Sequence, residues 1–235
     1  MFLSEIMQKI VVFSGAGMSA ESGIQTFRDN GGLWEHYRVE DVATPEAWKR
    51  DPELVTQFYN QRRKQIIETS PNEAHLLIQR LESRYDVTVI TQNIDDLHER
   101  AGSQKVLHLH GNIRFSKSSG PNQEHTYYPI QGWELRAEDR CPEGYRLRPH
   151  VVWFGEQVPM LEAAATIIAQ ADQLIIIGTS LRVYPAAALI HEVRKHSAIY
   201  LIDPNANEMN LPYGVHAITN TAVGGMSLLY KQLTS

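Results

Sequence analysis

The stretch Val11 to Arg28, VVFSGAGMSAESGIQTFR, constrains this chain more than any other. A short β-branched run enters Gly15-Ala16-Gly17 and then a Ser- and Gly-punctuated helix start, which leaves backbone N–H groups free where strand becomes helix. That geometry suits a pyrophosphate, and a tight turn with no ligand suits it equally. Short apolar runs recur at 9–14, 87–91, 106–110, 174–178, 199–203 and 216–219, separated by segments of helical period. Such runs mark parallel strands buried on both faces, with helices as crossovers. Ala74, Leu77, Ile78 and Leu81 define one apolar helix face, Ala164, Ile167, Ile168 and Ala171 a second, and Ala187, Ile190 and Val193 a third. The expected class is α/β, a doubly wound, mostly parallel sheet with a smaller inserted domain.

Two stretches interrupt the alternation. Residues 31–70 combine loop and helix, with Pro45 and Pro52 at favoured first-turn positions. Residues 111–150 are polar, rich in Ser, Gly, Pro and Asn, and without clear periodicity. Both belong over the sheet's carboxyl edge, where open α/β sheets bind ligands. The 235 residues carry 22 basic and 27 acidic side chains, a net charge of −5 with no dense Lys/Arg run, which argues against a nucleic-acid partner. No apolar run approaches a membrane span, and the start carries Glu5 and no basic leader. With Cys141 as the only cysteine, a cytoplasmic location is expected.

Thr91-Gln92-Asn93-Ile94-Asp95 places two amides and a carboxylate at a strand end, suited to ribose hydroxyls or, equally, to capping the next helix. His108 and His110 alternate along a strand and share a face, with no H-E-x-x-H or C-x-x-C to complete a metal site. Gly178-Thr179-Ser180 closes the apolar strand Leu174-Ile175-Ile176-Ile177 with small residues. Taken with the Gly15 to Arg28 segment, and in this order and spacing, these resemble the sirtuin family of NAD-dependent protein deacylases over nearly the whole chain.

The resemblance implies a Rossmann-like part over 1–30, 71–110 and 151–235, and a small helical and loop part over 31–70 and 111–150. NAD is the implied cofactor. Gly15, Ala16, Gly17, Ser19, Ile24, Phe27 and Arg28 would line its phosphates and nicotinamide side, Gln92 and Asn93 the nicotinamide ribose, and Asp95 the carboxamide. Gly178, Thr179 and Ser180 would take the adenosine half, with Asn205 and Ala222 nearby. Asp203 would meet the adenine ribose, or else cap the turn with Pro204. His110, with Asn93 and Asp95 beside it, is the implied catalytic base. The acyl-lysine carbonyl oxygen attacks the ribose carbon as nicotinamide leaves, and the histidine then activates a ribose hydroxyl against the imidate. Val151, Phe154, Gly155 and Glu156 would hold an acylated-lysine protein or peptide by strand addition.

Two features separate this chain from most sirtuins. Those carry two C-x-x-C pairs that bind zinc between the catalytic histidine and W-F-G-E; here the interval holds Cys141 alone, with Ser116 where a first cysteine would stand. No metal is expected, and Tyr127, Tyr128, Trp133 and Tyr145 are the candidates to hold the small domain together. The second feature is Tyr59-x-x-Arg62 with Ala43, which looks like the pocket of sirtuins that prefer succinyl- and malonyl-lysine. Tyr59 and Arg62 share a helical face and suit a carboxylate, although a packed Tyr beside a solvated Arg fits the same spacing. A glycohydrolase or ADP-ribosyltransferase, or a non-catalytic NAD sensor, would use the same pocket. Neither nucleic acid nor membrane is an expected partner, and a monomer is the expected state.

Overall fold

The computed structural model describes residues 7–24, 37–121, 126–209, 211 and 213–235. The apolar runs form six parallel strands: β1 (Lys9–Ser14), β2 (Asp86–Thr91), β3 (Val106–His108), β7 (Gln173–Ile177), β8 (Ala198–Ile202) and β9 (Val215–Ile218). Their order is β3-β2-β1-β7-β8-β9, so the chain winds one way from β1 and then the other. The reversal opens a crevice at the carboxyl ends of β1 and β7. Ser14 pairs with Thr91 and with Ile177, and Ile177 with Ile202. The next residues, Gly15, Gln92, Gly178 and Asp203, therefore leave the sheet in one row.

Successive side chains on β1 go to opposite faces. Ile10 and Val12 pack with Ala74, Leu77, Ile78 and Leu81 of α5 (Glu73–Leu81) and with Met226 and Leu229 of α8 (Ala222–Thr234). Val11 and Phe13 pack on the other face with Ala164 and Ile168 of α7 (Leu161–Ile168). The third expected helix is a 3-10 helix, Ala186–Glu192. Its apolar spacing of 187, 190 and 193 is a repeat of three, which is the 3-10 repeat itself.

The inserted segments differ more from expectation. α2 (Val39–Val42) leads to α3 (Pro45–Arg50) and α4 (Pro52–Glu68), whose first-turn prolines are capped by the Thr44 hydroxyl accepting from Ala47 N–H and the Asp51 carboxylate from Leu54 N–H. Residues 111–150, expected as loop, contain a three-stranded antiparallel sheet of β4 (Gly111–Ser118), β5 (Tyr127–Pro129) and β6 (Leu147–Val151), ordered β5-β4-β6. Ser116 and Ser118 are buried in β4 while Phe115 is exposed, so burial alternates where hydropathy does not. The Ser116 hydroxyl is satisfied by the Tyr128 carbonyl and that of Ser118 by Cys141 Sγ.

The expected aromatic core of the small domain does not form: Trp133 and Tyr145 are exposed, and Tyr127 stacks on His150 instead. The core is aliphatic, Ile130, Leu135, Cys141 and Leu147, with Tyr128 against it. A polar staple from α4 adds to it. Arg63, fully buried, donates to the carbonyls of Ile113 (2.6 Å) and Trp133 (2.8 Å) and to Asn60 Oδ1 (2.6 Å). Asn60 in turn exchanges two hydrogen bonds with the main chain of Leu135. Burial, and then the charge of Arg114, push the Arg63 guanidinium down to about 10.

Candidate active site

At the crevice, two turns touch backbone to backbone. Gly178 has φ +63°, and a Cβ there would lie 2.1 Å from Met18 N, so only glycine fits. Gly17 N–H donates to the Gly178 carbonyl and Gly15 N–H to that of Ile177, which fixes the first turn against β7. Ala16 precedes α1 (Gly17–Ala20), and Ser19 and Ile24 are buried.

The amides and carboxylate after β2 are held from below. The Asn93 side-chain amide donates to the Gly15 carbonyl (3.0 Å) and to Ser19 Oγ (3.1 Å), and Ser19 Oγ donates to Asp95 Oδ2 (2.9 Å). Burial pushes the Asp95 carboxyl up, while Leu97 N–H and the Ser19 hydroxyl pull it back. Gln92 Nε2 donates to Thr179 Oγ1 across the crevice. Beneath them Thr91 Oγ1 accepts from Asn93 N–H and from Ser14 Oγ, which also meets His98 Nε2 at 3.0 Å. That buried chain sets the Asn93 backbone; nothing in its sequence spacing announces it.

β3 ends at His108, two residues short of expectation, yet both histidines still address one loop. His110 Nδ1 lies 2.9 Å from the Gln92 carbonyl. A carbonyl only accepts, so Nδ1 carries the proton and Nε2 keeps its lone pair. Burial pushes the His110 pKa down against the pull of that carbonyl, which favours the neutral ring. His108 instead bridges the Asn93 carbonyl (3.0 Å) and Glu99 Oε1 (2.7 Å). Burial works against its charge, but Glu99 outweighs burial, and its pKa rises.

After β8, Asp203 Oδ1 accepts from Asn205 N–H (2.8 Å), the turn-capping alternative. Ser180 follows Thr179, whose hydroxyl also accepts from Leu181 N–H. Glu21, just after α1, accepts from Val223 N–H and brings Ala222, the first residue of α8, beside the first turn. Phe27 and Arg28 lie outside the described residues.

Ile24, Ala43, Tyr59, Leu97, Val151 and Trp153 belong to one buried cluster, so segments remote in sequence converge beside Asp95. Phe154 N–H pairs with the Ala43 carbonyl and leaves its ring exposed, next to Gly155 at φ +89°. Glu156 faces inward: it clasps Arg148 at 2.7 and 3.0 Å and accepts from Trp153 N–H, while the Arg148 guanidinium lies 3.3 Å over the Trp153 ring. This clasp holds the W-F-G-E turn rather than presenting its carboxylate, a role that R-P-H-V-V-W in the sequence did not signal.

Tyr59 and Arg62 are both buried on one face of α4. Burial pushes the Tyr59 phenol up to about 12, moderated by Arg62. Burial pushes the Arg62 pKa down even with the fields of Tyr59 and Asp95 sustaining its charge. Among the described residues no three His, Cys, Asp or Glu side chains gather as a metal would need, and no helix is long and apolar enough to cross a membrane.

Hydroxyls and amides along the edge, a backbone-lined turn and one buried carboxylate form a donor and acceptor set that fits the phosphates, riboses and carboxamide of NAD. A family model described as the Sir2 family matches residues 15–185. An NAD-dependent protein deacylase of Bacteroides thetaiotaomicron is 49% identical over 230 residues, 97% of this chain and 98% of that protein. One of Helicobacter pylori is also 49% identical, over 97% of this chain and 96% of its own length. Among solved structures, a Sir2 homologue in complex with NAD superposes with a TM-score of 0.86 at 37% identity, covering 97% of this chain and 90% of that one. A Sir2 variant bound to a deacetylated peptide and an acetyl-ADP-ribose gives 0.80 at 28% identity, covering 96% and 94%. Motif, edge geometry and these likenesses agree: the chain belongs to the Sir2 family.

Proposed function

We propose that this Sir2-family enzyme, an NAD-dependent protein deacylase, acts preferentially on lysines carrying succinyl or malonyl groups and yields nicotinamide and an O-acyl-ADP-ribose. The observation that carries the preference is Arg62. Its burial beside the Tyr59 phenol, within electrostatic reach of Asp95, supports reading the pair as a carboxylate receptor. A hydrogen bond to a charged group contributes about 1.5–3 kcal/mol, enough to rank acyl groups that differ only in a terminal carboxylate.

NAD supplies the electrophilic ribose carbon and the leaving group. Of the chain's own groups, Asn93 and Gln92 orient ribose hydroxyls, and Asp95 accepts from a carboxamide. His110, neutral and with Nε2 bare, takes the proton from a hydroxyl. Its Nδ1 bond to Gln92 ties the base to the residue that orients the ribose. Ala43, small and buried, packs in the same cluster as Tyr59.

Mass spectrometry on one peptide sequence bearing acetyl, malonyl, succinyl and long-chain acyl lysine, with and without NAD, tests this. Faster NAD-dependent loss of the succinyl or malonyl group supports it, and faster loss of acetyl overturns the preference. Nicotinamide release at the same rate without peptide would point to glycohydrolase chemistry instead.

A further inference from the structure

Asn93 is fixed by more of the fold than its place at a strand end requires. Its side-chain Nδ2 donates to the Gly15 carbonyl and to Ser19 Oγ, so both amide protons are committed and only Oδ1 is left to meet a ribose hydroxyl. Where Oδ1 points is then set by the two peptide planes that flank Asn93. The plane before it is held by Asn93 N–H, which donates to Thr91 Oγ1 at 3.0 Å, and by the Gln92 carbonyl, which accepts from His110 Nδ1 at 2.9 Å. The plane after it is held by the Asn93 carbonyl, 3.0 Å from His108 Nδ1. Two histidines two residues apart thus take successive peptides, one on each side of the asparagine.

His108 differs from His110 in its second nitrogen. Nε2 lies 2.7 Å from Glu99 Oε1 on α6 (Leu97–Arg100). A carbonyl and a carboxylate both only accept, so meeting the two of them takes a ring protonated on both nitrogens. The Asn112 amide nitrogen, from β4, stands 3.5 Å from that Glu99 oxygen and 3.3 Å from Nε2; with Nε2 protonated it donates to the carboxylate alone. Burial works against both charges, yet the pair raises the His108 pKa and lowers that of Glu99. Asp95, in the loop after β2, adds to the attraction. The neighbouring imidazoles do not oppose it: burial first, and then nearby charges, push His98 of α6 well down and His150 of β6 to about 4, so both are neutral.

We propose that Glu99 and His108 are a positioning pair for Asn93: the imidazolium, kept charged by Glu99, holds the Asn93 carbonyl and thereby aims Oδ1 at the nicotinamide ribose. The pair acts through Asn93, and the inference rests on the ribose-orienting role proposed for that residue. Loss of the imidazolium proton leaves one N–H for two acceptors, so the hold weakens as pH rises through the His108 pKa, above the ordinary 6.5.

The pH profile of kcat, with NAD and acylated peptide saturating, tests this in the wild type, Glu99→Gln and Asn93→Ala. Glu99→Gln keeps the size of a partly exposed side chain and removes its charge. Its alkaline limb is expected to move about one unit or more toward lower pH, with the acid limb set by His110 in place and KM for the peptide unchanged. His108→Gln keeps one donor for the carbonyl and does not titrate, so it should flatten the alkaline limb and retain turnover that His108→Leu loses by roughly 10- to 100-fold. Superimposable profiles for the wild type and Glu99→Gln, or one uniform fall at every pH, would overturn the pair's role. Asn93→Ala separates this from the reading beneath it. Wild-type turnover there would remove the ribose role of Asn93 and this inference with it, whereas a loss there beside an unshifted Glu99→Gln profile defeats the positioning pair alone.

Discussion

On α4, Arg63 turns toward the small sheet and Arg62 toward Tyr59 and Asp95, so neighbouring arginines serve two regions with different demands. Arg63 donates from Nε to the Ile113 carbonyl and from Nη1 to the Trp133 carbonyl and Asn60 Oδ1, and thereby fastens loops of the inserted domain, while its Nη2 meets no acceptor among the described residues. Arg62 stands over the Phe58 ring, with Tyr59 and Asp95 acting on it through their fields. β3 repeats the contrast at shorter range: His108 is bound on both nitrogens, while His110 holds one main-chain carbonyl by Nδ1. The first-named member of each pair ties separate segments of the fold together, as buried polar groups normally do.

The contrast breaks most readily at the histidines. His110→Ala should lower turnover by about 10²–10⁴ with an unchanged unfolding midpoint, because positioned acid–base catalysis contributes that much. Steady-state nicotinamide release beside thermal unfolding checks both halves, and retention of a third of the wild-type rate would remove His110 from its role. The arginines come next. Arg63→Met leaves buried carbonyls without donors and should cost about 3–5 kcal/mol in urea unfolding, whereas Arg62→Met should stay within about 1 kcal/mol. Equal losses would erase the distinction.

The smallest effect is a separation in pH. The His110 pKa is depressed by burial, so the neutral base is present above that value and activity is lost as pH falls through it, below the ordinary 6.5. The His108 pKa is raised by Glu99, so its contribution to stability is full below 6.5 and is lost as pH rises through the higher value. Imidazole NMR titration should place the two rings on opposite sides of 6.5. The reverse order would contradict the hydrogen bonds assigned to them.

Much of the large sheet was legible because strands buried on both faces are apolar throughout, and the glycine turn, T-Q-N-I-D and H-G stand at strand ends where spacing alone puts them in one row. The small sheet was illegible since β4 buries serines and exposes Phe115, which inverts the hydropathy signal. The Tyr59-x-x-Arg62 spacing singled out Arg62, but nothing local showed that Arg63, about 100° round the helix, fastens segments some 50 to 70 positions away in the chain. The Arg148–Glu156–Trp153 clasp was hidden for the same reason, as a contact between β6 and the turn that follows it.

The proposed role of Arg62 is to read a carboxylate on the acyl group. Its direct measurement is kcat/KM for succinyl-lysine and acetyl-lysine versions of one peptide, in the wild-type enzyme and in Arg62→Met. The wild type should favour the succinyl peptide, and the variant should lose roughly 10- to 150-fold on it while changing less than about 3-fold on the acetyl peptide. Equal losses on the two peptides, or a wild-type preference for acetyl, would contradict the account and return Arg62 to the packing of α4.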